Sequence, residues 1–99
     1  MFATVRETHY EADKPRPTPA QLTEFRALRE SQPGYAGMVA VDAGNGRTIA
    51  LVLWESEAHA AAAAVVLDRE VQRTIVPLGQ SPGQIIAQGP VLRTDLAKA

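Results

Sequence analysis

The chain reads as a single α+β domain: a four-stranded antiparallel sheet in βαββαβ order, with both helices on one face. Three observations predict this. Proline and glycine cut the sequence into six pieces, the pieces carry alternating strand and helix patterns, and an Asn45-Gly46 pair joins two apolar strands at the centre. Ninety-nine residues is one domain's length, so residues 1–99 are taken as one unit. A domain of that size buries roughly 60–70% of the surface its unfolded chain exposes.

Residues 2–10 mix β-branched and aromatic residues with charges, as a partly exposed strand does. The run Lys14-Pro15-Arg16-Pro17 forbids regular structure, because proline lacks an N–H and restricts the residue before it. A helix then starts with Thr18 as its cap, Pro19 at the first helical position and Gln21 completing a capping box. Leu22, Phe25 and Leu28 recur at helical spacing, leaving Glu24, Arg26 and Glu30 for water, and Pro33-Gly34 ends the helix. Tyr35–Val41 and Thr48–Trp54 form a hairpin around residues 42–47. Ser56 caps a second helix through the alanines 60–64, expected to bend before Val65–Ile75 continues it, and Pro77 with Gly79 stops it. Residues 84–94 read as the last strand, with Gly89-Pro90 at a bulge or an edge.

Composition excludes several classes. Ten basic and eleven acidic residues leave a net charge of −1, without the clustered cations that bind nucleic acid or an anionic membrane. The absence of cysteine removes disulfides, thiolate catalysis and thiolate metal sites. Arg6, Glu7 and His9 stand where a signal peptide would be apolar, and the apolar run Ile49–Trp54 is too short to cross a bilayer. The expectation is a cytoplasmic protein without membrane attachment.

The hairpin carries more information. With a turn centred on Gly44–Gly46 and no bulge, one face holds Met38, Ala40, Ile49, Leu51 and Leu53. The other holds Val39, Val41, Ala50, Val52 and Trp54. Both are apolar, whereas a half-exposed antiparallel strand should alternate with polar residues. Right-handed crossovers put both helices on one side, so the other side would expose roughly 600–800 Å² of apolar surface, near the area of one half of a standard interface. A homodimer through the sheet face is the natural solution. The same aliphatic face argues against an RNA-binding module, whose open sheet carries basic and aromatic residues.

The run Pro33-Gly34-Tyr35-Ala36-Gly37, the strand end Leu53-Trp54-Glu55-Ser56 and the alanine-rich helix behind it resemble the dimeric α+β barrel superfamily, within it the antibiotic-biosynthesis-monooxygenase-like domains. The resemblance spans Phe2 to about Leu92, and its motifs mark architecture more than chemistry. It implies a ferredoxin-like protomer that pairs sheet to sheet, with a ligand pocket between sheet and helices. It further implies a cofactor-independent monooxygenase acting on an aromatic or phenolic compound, with no cofactor; the alternative is a non-catalytic, ligand-binding or structural homodimer. Haem-degrading relatives share an Asn on the first strand and a Trp and a His along the second helix. Here Phe2–Tyr10 has no Asn, and Ala63 and Arg73 stand near the other two positions, so haem degradation is not implied.

His9 and His59 are the candidate general bases, since an imidazole titrates near neutrality. His9 could equally be a solvated strand end, and His59, in the first turn of the second helix, a helix-surface residue beside its cap. Without carboxylates at ligand spacing the two histidines make no metal site. Tyr10, Trp54 and Arg6 are candidate substrate contacts. Tyr10 otherwise packs its ring with the hydroxyl in water, and Trp54 otherwise packs over Gly37 across the hairpin. Arg6, like Arg93, otherwise pairs with Glu7 or Asp95.

Overall fold

The computed structural model describes residues 1–95. The elements follow the expected order: β1 (Phe2–His9), α1 (Pro19–Glu30), β2 (Tyr35–Gly44), β3 (Arg47–Trp54), α2 (Glu57–Thr74), a 3-10 turn (Val76–Leu78) and β4 (Gln84–Pro90). The strands form one sheet in the order β2-β3-β1-β4, antiparallel at every pairing.

Both helix starts are built as their sequences predict. Thr18 Oγ1 accepts from the Gln21 N–H at 3.1 Å while the Thr18 N–H donates to Gln21 Oε1 at 2.9 Å, closing the capping box. Ser56 Oγ accepts from the His59 N–H at 3.1 Å. Each such cap is worth about 1 kcal/mol. α2 runs unbroken through the alanines from Glu57 to Thr74, since alanine favours the helix most.

The hairpin departs from expectation in a way that matters. Its turn has two residues, Asn45 and Gly46, at φ 55° and 79°, the doubly left-handed pair a tight hairpin needs. Gly44 faces Arg47, but the next pair is Asp42 with Thr48, so Ala43 is an extra residue in β2. Asp42 Oδ1 accepts the Gly44 N–H at 2.9 Å and holds this bulge. A second register shift lies between Tyr35 and Gly37. Because side chains alternate with a period of two, one inserted residue reverses the faces of one strand against the other. Met38 and Ala40 therefore lie opposite Val52 and Ala50, and Val39 and Val41 opposite Leu51 and Ile49. The bulge-free distribution of faces is overturned.

The first of these rows packs under the helices. Val52, Trp54, Ala63 and Leu67 form the buried cluster, with Phe25, Leu28, Tyr35, Met38 and Ala60 against it. The second row, continued on β1 by Ala3 and Val5, forms the open face and is more uniformly aliphatic than the bulge-free reading had it. Val39 and Val41 are 43% and 55% exposed there. The chain's accessible surface is 6466 Å², against about 5,500 Å² for a folded monomer of its mass.

Three further details differ from the sequence reading. Trp54 does not pack over Gly37, because the shift after Tyr35 sets Gly37 opposite Leu53 and Tyr35 opposite Trp54. The Tyr35 and Trp54 rings instead meet edge to face, 5.8 Å apart at 79°. Arg6 and Glu7 do not pair, since strand neighbours point to opposite faces; Arg47 takes Glu7 through two 3.2 Å bonds, and this guanidinium holds the Glu7 carboxyl below the usual glutamate range. The last strand ends at Pro90 rather than Thr94, and its register shift lies opposite Val5 and Arg6 rather than at Gly89-Pro90. Pro90 does occupy an edge strand, where its missing N–H is harmless. The Val91 N–H bonds the Met1 carbonyl at 2.8 Å.

Candidate functional site

Between the sheet and the two helices lies a cavity of about 450 Å³. Its floor is the helix-facing row of β1, namely Phe2, Thr4, Arg6 and Thr8, with Val52 and Trp54 beside it on β3. The roof explains why space remains. Ala60, Ala61, Ala64 and Leu67 of α2 line the cavity, whereas Ala63 sits in the buried cluster, to which Leu67 also belongs. Side chains that stop at Cβ let the helix rest on the sheet at one point and leave a void beside it. The alanine run thus opens a cavity rather than closing the layer.

Aromatic and charged groups share its walls. Phe25 and Arg29 enter from α1, with the Arg29 guanidinium 5.8 Å from the Phe25 ring centroid. Burial pulls the Arg29 pKa down, with neighbouring Tyr35 opposing the shift, and its Nε is buried without a hydrogen-bond partner. Arg6 reaches from the floor toward Asp68 of α2, 3.9 Å away, a long contact between partly exposed groups and a weak one. A smaller cavity of about 90 Å³ adjoins the first, sharing Thr8, Phe25, Val71 and Gly83.

The candidate residues divide between these places. Trp54 and Arg6 line the main cavity, and Tyr10 lines the smaller one, where burial pushes its phenol up. The two histidines lie elsewhere. His9 ends β1 on the open face, opposite Arg47, and its Nε2 donates to the Asn45 carbonyl at 3.0 Å. His59 has Nδ1 2.7 Å from Ser56 Oγ, and its ring lies so close over Gly34 that a Cβ there would be 2.3 Å from its Cγ. Neither imidazole lines the cavity. Among the described residues no group of three or more His, Asp or Glu side chains could hold a metal ion, and no helix is long and apolar enough to cross a membrane.

Sequence reasoning missed Thr4, Gln88 and above all Arg29 as lining residues. For Arg29 a signal existed. It stands four residues after Phe25, inside the apolar stripe of α1, where a charge is out of place unless it has a task.

No protein-family model matches this chain, and no curated protein matches it in sequence. Solved structures do match. A protein of unknown function from Nitrosomonas europaea aligns with TM-score 0.69 and 17% identity, over 95% of this chain and 91% of that one. The N63A mutant of SnoaB, a cofactor-independent oxygenase from Streptomyces nogalater, aligns with TM-score 0.68 and 12% identity over 95% of both chains. A proposed antibiotic biosynthesis monooxygenase from Nitrosomonas europaea aligns with TM-score 0.54 and 12% identity, over 94% of this chain and all of the other. The fold is that of a ferredoxin-like α+β domain. More narrowly, the fold resembles that of the cofactor-independent oxygenase and of the proposed antibiotic biosynthesis monooxygenase just described.

Proposed function

We propose that this chain is a homodimeric small-molecule enzyme that oxygenates a phenolic aromatic compound without a cofactor, in the cavity between its sheet and helices. The observation that carries this reading is the cavity's lining: Phe2, Phe25 and Trp54 offer ring faces while Arg6 and Arg29 offer positive charge. A cation beside a phenolic oxygen favours its ionised form. The proton leaves through Asp68, which lines the cavity and is open to water. The phenolate then delivers electrons from a ring carbon to O₂, forming a C–O bond. Loss of water from the hydroperoxide converts an activated CH₂ to C=O, so each O₂ consumed yields one carbonyl and one water. The likeness of fold to a cofactor-independent oxygenase agrees with this chemistry. With both imidazoles outside the cavity, the guanidinium groups rather than a histidine base stabilise the anion.

Incubation with an anthrone- or quinol-type substrate is expected to consume one O₂ per product, and Arg6→Met to slow turnover about tenfold or more. His9→Ala is expected to leave turnover unchanged. Absence of oxygen uptake with every such substrate overturns the reading, and quenching of Trp54 fluorescence without uptake would leave a ligand-binding dimer instead.

The dimer rests on the open face. On that face Val39 and Val41 are 43% and 55% exposed, an aliphatic surface of the kind a twin sheet covers. Val41→Asp puts a carboxylate on that face, at the exposed β2 edge, and is expected to convert a dimer to a monomer in sedimentation. A wild-type chain that sediments as a monomer at micromolar concentration overturns this part.

A further inference from the structure

We propose that Arg29 is the specificity-determining residue of the cavity and that the bound compound is an aromatic carboxylate, its two oxygens forked on the Arg29 guanidinium. The inference rests on reading the cavity as a small-molecule site and adds the charge its occupant must carry. Three observations converge on it. Arg29 lines the cavity, yet its Nε is buried with no partner. A buried, unbonded N–H on a charged group is costly, so the guanidinium is held at the cavity wall at some expense of stability. Of the two cavity arginines, Arg6 has a carboxylate, Asp68, 3.9 Å away, whereas Arg29 is absent from the ion pairs of the described residues. Finally, Arg29 is preorganised. Its guanidinium lies against the Phe25 ring, which limits its motion and sets a flat aromatic surface beside the charge.

Guanidinium geometry narrows the ligand. The two Nη groups present paired donors that match the two oxygens of a carboxylate, whereas a single phenolate oxygen satisfies only one of them. The cavity of about 450 Å³ lies within the range that holds a drug-sized molecule. A fused two- or three-ring acid places its rings among Phe2, Phe25 and Trp54 while its acid group reaches Arg29.

Isothermal calorimetry with 1-hydroxy-2-naphthoate and its neutral carboxamide tests the assignment. Wild type is expected to bind the acid about tenfold or more tightly than the amide. Arg29→Met should abolish that preference while leaving amide affinity in place, and Arg29→Lys should recover part of it, having the charge but not the fork. A thermal melt of the unliganded variants separates recognition from scaffolding. Removing an orphaned buried donor is expected to leave Tm unchanged or raise it in Arg29→Met, and a clear fall in Tm would make Arg29 structural and overturn the proposal. Equal affinity for acid and amide, or a preference that survives Arg29→Met, overturns it too while leaving the cavity reading intact. Failure of both compounds to bind removes the cavity reading and this inference with it. Ala64→Phe, which fills the roof, is the control expected to lose both ligands.

Discussion

Gly34→Ala is expected to lose about 2–4 kcal/mol of folding stability, a large share of the 5–15 kcal/mol a small domain has. Two costs combine. Gly34 has φ of +82°, and a side chain in that left-handed region costs about 1–2 kcal/mol. The new methyl would also stand 2.3 Å from Cγ and 2.6 Å from Cβ of His59. Cβ is fixed to the α2 backbone, so the clash is not relieved by turning the ring, and the helix start must shift. That strains the Ser56 cap, worth about 1 kcal/mol, and the bond from the Glu55 N–H to the Gly34 carbonyl at 2.8 Å. Urea denaturation measures the loss, and a double-mutant cycle identifies its source. His59→Ala leaves the 2.6 Å contact and should rescue little; His59→Gly removes it and should rescue more. A Gly34→Ala variant within about 0.5 kcal/mol of wild type would show that the helix start is not held this way.

Gln80→Leu is expected to cost a comparable 2–4 kcal/mol. Gln80 is 3% exposed, and every bond it makes serves the irregular segment between β1 and α1. Its side-chain oxygen accepts the Glu11 N–H at 2.8 Å. Its amide nitrogen donates to the carbonyls of Glu11 at 3.1 Å, Lys14 at 3.3 Å and Pro15 at 3.0 Å. The prolines of that segment rule out helix or strand, so its backbone groups have no ladder; beside the bonds from the Tyr10 N–H to the Gly46 carbonyl and from the Lys14 N–H to the Glu11 carbonyl, they rely on this one side chain. Leucine is similar in size but strands a buried N–H and the carbonyls together. Gln80→Glu keeps the acceptor, loses the donor and turns a negative charge toward three carbonyls, and should be at least as damaging at neutral pH. Hydrogen exchange at the Glu11 amide offers a local readout beside the denaturation midpoint. Wild-type protection of that amide in Gln80→Leu would mean the segment is held by other contacts.

Gln80 also shows where sequence reading stops. Nothing within a few residues of it hints at partners more than sixty positions earlier, and a lone glutamine between turn residues looks like a solvated loop. The elements themselves were legible for the opposite reason. Thr18 with Gln21, Ser56, and Asn45-Gly46 act over three or four residues, so their chemistry is visible in a short window. The hairpin bulge falls between these cases. Asp42, Gly44 and the tight turn were all in view, yet one inserted residue, Ala43, decided which face each side chain took, and local pattern does not count residues across a bulge. The error was confined to parity. Both faces were apolar under either register, so the inference of an uncovered face survived while its membership changed.

The candidate site divides along the same line. Trp54 and Arg6 were found because an aromatic ring and a charge on strands are conspicuous. His9 and His59 were chosen for their chemistry and lie outside the cavity, because a useful pKa says nothing about direction. Arg29 went unassigned, though its place in the apolar stripe of α1 was a signal.

By itself the sequence determined the order of the elements, their caps and turns, and an excess of apolar residues on the central hairpin beyond what two helices can cover. Those properties follow from dihedral preference, short-range hydrogen bonds and hydrophobic period, all of which act along the chain. Only the tertiary structure decided which row of the hairpin lies beneath the helices, that the alanines of α2 leave a cavity, and that Arg29 borders it with an unbonded N–H. These depend on the register of strands and on distances between elements far apart in the chain, and a linear pattern carries neither.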